Sequence, residues 1–165
     1  MQRRESSSRT SRMEGYVPLI REFATRDALF HDAVARRLGL HSTDEKVLRL
    51  LGAQAMTAGD LVGYTGLTGA AVTALVDRLE ALGYVTRERD RNDRRKVTIR
   101  AVSGKLRDIN RLYGGLHDAL QALLSKYDNA EFSAIMDFLA GATSAMAEQT
   151  EKLTGSAKRP KAKAG

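Results

Sequence analysis

Apolar residues recur at Tyr16, Leu19, Ile20, Phe23, Phe30, Val34 and Leu38. Steps of three, four and seven place them on one face of a long helix that Gly39 closes. Ser42, followed three residues later by Glu45, has the form of a capping box opening a second helix through Val47, Leu48, Leu50 and Leu51, with Gly52 as its stop. Thr57 and Asp60 repeat the signal ahead of Leu61 and Val62, and Thr65-Gly66 breaks that third helix early. Thr68 caps a fourth helix, in which Val72, Leu75, Val76, Leu79 and Leu82 keep helical spacing up to Gly83. The period then drops. Tyr84-Val85-Thr86-Arg87 is rich in strand formers, and Val97-Thr98-Ile99-Arg100 alternates apolar with polar, so two strands flank a charged loop over residues 88–95. A fifth helix begins near Ser103 and carries Leu106, Ile109, Leu112, Tyr113, Leu116, Leu120, Leu123 and Leu124. A sixth carries Phe132, Ile135, Met136, Phe138, Leu139, Ala142 and Met146.

A short helix, a tight Thr-Gly turn, a longer helix and a two-stranded hairpin form, in that order, a winged helix-turn-helix. The expected fold is mainly α (α+β), with this module over about residues 43–102. Long helices flank it over about 16–39 and 104–153, within a domain of residues 13–153. A winged module covers only part of their apolar surface, which points to packing against a second copy. Residues 1–12, rich in Ser and Arg, and residues 154–165, built of Gly, Ser, Ala, Lys and Pro, have compositions of disordered basic tails.

Charge sharpens this picture once it is partitioned. The 27 Lys and Arg against 20 Asp and Glu give +7, a surplus that suits a polyanion. Residues 1–12 supply +3 of it (Arg3, Arg4, Arg9 and Arg12 against Glu5), and residues 154–165 supply +4 (Lys158, Arg159, Lys161, Lys163). Residues 13–153 are therefore neutral. Within them, residues 87–100 hold seven basic side chains and three acidic ones, a local +4 against −4 elsewhere. A charge run is often only a solvated loop, but this one follows a helix-turn-helix pattern and precedes an alternating strand. Beside a helix in the major groove, such a loop can set arginines on phosphates or into the minor groove. Val72, Leu75, Val76 and Leu79 define the packed face of the fourth helix, leaving Thr68, Gly69, Ala70, Thr73, Ala74, Asp77 and Arg78 on or near the other. In the hairpin, Arg91, Arg94 and Arg95 are the candidate DNA contacts, and Asp93, two residues before Arg95, is close enough to hold its guanidinium.

Other chemistry finds little support. There is no Cys, which excludes a thiol sensor. His31, His41 and His117 show no helical ligand spacing, so neither a metal nor another cofactor is expected. No Gly-rich phosphate loop or nucleophile–base pairing suggests an enzyme. No apolar run approaches the roughly 20 residues that cross a bilayer, and the N-terminus has no apolar signal segment. A cytoplasmic protein without a membrane partner is expected, nucleoid-associated when bound to DNA.

The run from Leu61 to Thr98 includes Leu67-Thr68, Val72-Thr73, Leu75-Val76-Asp77-Arg78-Leu79-Glu80, Leu82-Gly83-Tyr84-Val85, Arg87 and Asp93-Arg94-Arg95-Lys96-Val97. It resembles the MarR family of transcriptional regulators, and the similarity extends over roughly residues 16–153. The resemblance implies a homodimer on a pseudopalindromic double-stranded DNA operator, with Thr68 to Thr73 leading the recognition helix, Arg78 near the phosphate backbone, and Asp93 with Arg95 as the wing pair. It also implies a repressor relieved by a small, often aromatic, ligand. Phe23, Phe30, His31, His41 and Arg49 fall on the first two helices, where ligands of the family often bind. The chain departs from the family where its recognition helix carries Gly69, Ala70, Ala71 and Ala74. Thymine methyls, the Thr68 and Thr73 hydroxyls, the wing arginines and DNA shape then carry more of the specificity. Two alternatives remain at this level: a ligand-independent regulator or activator, and a winged-helix module that binds a protein partner.

Overall fold

The computed structural model describes residues 2–89 and 97–154, and of residues 2–13 the backbone alone. Its elements are α1 (Gln2–Leu38), α2 (Ser42–Ala53), β1 (Met56–Thr57), α3 (Ala58–Thr65), α4 (Gly69–Ala81), β2 (Val85–Arg89), β3 (Val97–Ala101), α5 (Ser103–Leu124) and α6 (Asn129–Thr154). The chain divides into two compact units, residues 1–46 and 47–165.

In the first unit, helical backbone starts at Gln2, so α1 runs through residues whose composition suggests a disordered tail. No Gly or Pro stands between Gln2 and Met13, and a nucleated helix extends without needing an apolar face of its own. Gly39 ends it as the apolar spacing predicts. With φ at 69°, Gly39 turns the chain so that the Leu40 N–H reaches back to the Ala35 carbonyl at 2.9 Å, the closing bond of a Schellman motif. Leu40, Val34 and Ala35 are buried. The Ser42–Glu45 spacing points to a cap at Ser42, but the cap lies one residue earlier. The His41 N–H donates to Asp44 Oδ2 at 3.2 Å. Glu45 is instead buried, its Oε1 3.5 Å from His31 Nδ1. A carboxylate three residues on can serve either of two adjacent starts, and Asp44 wins for the earlier one.

The second unit holds the winged module. Thr57 and Asp60 form the expected capping box of α3: the Asp60 N–H donates to Thr57 Oγ1 (3.1 Å) and the Thr57 N–H to Asp60 Oδ2 (2.8 Å). The three-stranded antiparallel sheet has the order β1-β3-β2, pairing Met56 with Ile99 and Arg87 with Ile99 from either side. In this register Val85, Ile99 and Ala101 are buried, on one face, while Thr86, Glu88, Thr98 and Arg100 share the other. Strand β1 has no counterpart in the predicted elements. Two residues carry no readable alternation, and Met56 joins the sheet because its side chain is buried, 2% exposed. The core also takes Leu48, Leu51, Leu61, Val72, Leu75, Val76, Leu79 and Ile109. Gly52 does not stop α2. It lies inside the helix, where a Cβ would meet the Leu106 side chain at 3.6 Å. Asp128 caps α6, accepting from the Ala130 and Glu131 N–H groups at 2.8 and 2.9 Å. Yet α6 buries no residue, and Phe132, Met136, Phe138, Leu139 and Met146 are all exposed.

Candidate nucleic-acid interface

The turn between α3 and α4 is built from side-chain bonds that spare the backbone an irregular path. The Thr65 hydroxyl donates to the Leu61 carbonyl at 2.6 Å and its Oγ1 accepts from the Leu67 N–H at 3.3 Å. Gly66, at φ 69°, takes the left-handed turn that a side chain would strain. Thr68 then opens α4, its Oγ1 accepting from the Ala71 N–H at 3.2 Å. Four inward residues (Val72, Leu75, Val76 and Leu79) bind α4 to the core. This fixes what the helix offers outward: Gly69, Ala70, Ala71, Thr73, Ala74, Asp77 and Arg78, all exposed. The Thr73 hydroxyl donates to the Gly69 carbonyl at 2.9 Å, so its oxygen presents an acceptor and its methyl group to an approaching partner. All six residues expected on this helix, Thr68, Gly69, Ala70, Thr73, Ala74 and Arg78, lie on the exposed face.

At the far end of α4, Gly83 (φ 72°) and the bond from the Tyr84 N–H to the Leu79 carbonyl (2.9 Å) turn the chain into β2. Here the hairpin shows a feature that charge counting hides. Arg87 points inward from β2 and forks between two carboxylates of α4. Nη2 lies 2.5 Å from Asp77 Oδ1, and Nη1 bonds to Glu80 Oε2. The Arg87 backbone N–H also donates to Glu80 Oε1, at 3.2 Å. Burial opposes the charge on this guanidinium, but the hydrogen bonds to Asp77 and Glu80 and their negative charge outweigh it, holding Arg87 above its already high ordinary value. Arg100 pairs with Glu88 across the hairpin at 3.3 Å. Two of the seven basic residues counted in the hairpin are thus matched by acids on the described elements. Arg91, Asp93, Arg94 and Arg95, the expected wing contacts, lie outside the described residues.

Of the expected ligand residues, Phe23, Phe30, His31 and His41 belong to the first unit and Arg49 to the second. Phe23 and His41 are exposed. Phe30 stands edge-on to His31 with ring centres 5.9 Å apart. His31 sits between carboxylates, with Nε2 3.3 Å from Asp27 and Nδ1 3.5 Å from Glu45. Arg49 lines a cavity of about 290 Å³ between α2 and α5 in the second unit. Its other walls are Leu48, Gly52, Leu106, Ile109, Asn110 and Tyr113. Helical spacing marks Leu106, Ile109 and Tyr113 only as an apolar stripe. The sequence signal for a cavity is Gly52, whose missing side chain leaves room opposite α5. Among the described residues, no group of three or more His, Asp or Glu is placed to hold a metal, and no helix is long and apolar enough to cross a membrane.

A model of the MarR family matches residues 38–96. An uncharacterized HTH-type transcriptional regulator, YcgE of Bacillus subtilis (strain 168), is 43% identical over 151 residues, covering 89% of this chain and 98% of the relative. Among solved structures, an S. aureus MepR mutant bound to an oligodeoxyribonucleotide superposes with a TM-score of 0.54 at 20% identity, over 79% of this chain and 97% of the other. Bordetella bronchiseptica BpsR, whose structure is described as a mechanism for regulation of DNA binding by 6-hydroxynicotinic acid, superposes with a TM-score of 0.51 at 22% identity, over 78% of this chain and 92% of the other.

Proposed function

The chain belongs to the MarR family of transcriptional regulators, and we propose that it acts in the cytoplasm as a homodimeric repressor on a pseudopalindromic double-stranded operator, released by a small ligand. The observation that carries the DNA assignment is the two-faced α4, held to the core by Val72, Leu75, Val76 and Leu79 and exposing Gly69, Ala70, Thr73 and Ala74 behind the Thr68 cap. A helix anchored along one side, with a small opposite face, can enter the major groove to the depth of its backbone. In this reading Thr68, Gly69, Ala70, Thr73 and Ala74 meet base edges and Arg78 meets phosphate. Arg91, Arg94 and Arg95 follow the backbone or minor groove, with Asp93 holding Arg95.

Dimerisation is supported by α5 and α6, whose exposed Leu116, Leu120 and Leu123, and Phe132, Met136, Leu139 and Met146, form helix-spaced apolar rows. Ligand relief is supported by the cavity beneath Arg49. Its apolar walls suit a planar ring, while Arg49, Asn110 and Tyr113 supply groups for a carboxylate or hydroxyl. The regulation of BpsR by an aromatic acid is a precedent in a structural neighbour.

The test is selection of duplexes from a random library by the full-length protein, followed by gel-shift titration. An inverted repeat with half-sites about one helical turn apart is expected. Arg95→Ala weakens binding to the selected duplex by about tenfold or more while thermal unfolding is unchanged. Equal binding by Arg95→Ala and the wild type overturns the wing assignment, and a selected sequence without inverted symmetry overturns the dimeric operator.

A further inference from the structure

Arg87 carries the same charge as the arginines expected on DNA and sits at the root of the hairpin, yet its surroundings are unlike a phosphate contact. Its side chain leaves β2 on the face that also carries buried Val85, opposite Ile99, and is 30% accessible. Both ends of its guanidinium are spent on Asp77 and Glu80, and its backbone N–H is spent on Glu80 as well. Among the described residues strand β2 is an edge strand, paired with β3 alone, and these bonds tie its outer edge to α4. Asp77 and Glu80 are exposed on α4 and flank Arg78. Left uncompensated, their charges would face the same phosphates that Arg78 approaches.

We propose that Arg87 is a positioning residue for DNA recognition: it clamps edge strand β2 to recognition helix α4 through Asp77 and Glu80, fixing the angle between helix and hairpin, and touches no phosphate. This rests on the reading that α4 and the hairpin bind duplex DNA together. The clamp requires a planar fork. Two carboxylates on one face of a helix, three residues apart, are reached at once by the two ends of a guanidinium, whereas an ammonium is a single point of charge. A phosphate contact would accept either cation. With the clamp broken, helix and hairpin still attract DNA by charge, but no longer hold the mutual angle at which both fit one site.

The experiment measures the affinity of the full-length dimer for its selected duplex and for a scrambled duplex of equal length, across a salt series. For Arg87→Lys, affinity for the selected duplex falls about tenfold, and affinity for the scrambled duplex and the slope of log K against log salt stay at wild-type values. The double variant Asp77→Asn/Glu80→Gln breaks the clamp from the other side. It loses the same specificity ratio although it removes two negative charges near the DNA, a change that alone would strengthen binding. Wild-type behaviour of Arg87→Lys, or a slope in Arg87→Ala shallower by about 0.9, identifies a phosphate contact and overturns the proposal. A gain of specific affinity in Asp77→Asn/Glu80→Gln overturns it too. If the wild-type protein itself shows no preference between the two duplexes, the DNA reading fails, and the clamp with it.

Discussion

Helices α4 and α6 are both amphipathic, but they resolve that property in opposite ways. In α4, 13 residues long, Val72, Leu75, Val76 and Leu79 are all buried, with Leu79 wholly inaccessible. In α6, twice as long at 26 residues, none is buried, and Phe138 and Met146 remain 52% and 63% exposed. Apolar side chains spaced for a helix face call for a partner, and the spacing alone does not say which one. For α4 the partner is within the chain: α3 and strand β2 pack against it. For α6 the row stays exposed, and under the proposed reading its partner is a second copy of the chain. The first helix is therefore a matter of folding, and the second, in the proposed dimer, a matter of assembly.

That contrast can be tested by substitutions of graded effect. Leu79→Ala deletes a fully buried side chain from the face that holds α4, and chemical denaturation should show a loss of roughly 2–5 kcal/mol. An effect below about 1 kcal/mol would mean that α4 is not anchored as described. Leu139→Asp, on the exposed row of α6, should leave the circular dichroism of the dilute protein unchanged. It should weaken self-association by on the order of a hundredfold, the cost of burying an unpaired charge. Sedimentation equilibrium decides it, and wild-type self-association in this variant would remove α6 from the interface. The smallest effect is expected at the outward lip of α4. Thr68→Ala removes one cap bond, from the Ala71 N–H, and should lower the midpoint of thermal unfolding by an amount equivalent to about 1 kcal/mol. A midpoint equal to that of the wild type would show that the cap is replaceable by solvent.

The apolar spacing located six helices and two strands because each is specified locally. Thr57, Asp60, Gly66, Thr68 and Gly83 act within a few residues of themselves, and their roles in the structure match their sequence signals. What escaped depends on partners distant in sequence. Strand β1 exists because Met56 meets Ile99 across the sheet. Arg87 reads as one more positive charge in a basic loop until Asp77 and Glu80, ten and seven residues earlier on another element, are seen to hold it. Similarly, the cavity that Arg49 lines takes its opposite wall from α5, distant in sequence. The exposed face of α4 was legible for the converse reason: once four residues face inward, a helix has no freedom left in what faces outward.

Gly52 shows how local and distant demands can conflict. As the last residue but one of α2 it costs up to about 1 kcal/mol of helix stability relative to alanine, and it stands opposite Leu106 where any larger side chain would take space from the cavity. An alanine Cβ at 3.6 Å from Leu106 would make an ordinary contact, so nothing steric forbids the replacement, and local propensity favours it. The chamber is thus held open by an absence. At that one position a first added carbon would strengthen the helix while shrinking the largest molecule the cavity admits, so that room in the chamber and robustness of the scaffold trade against each other there.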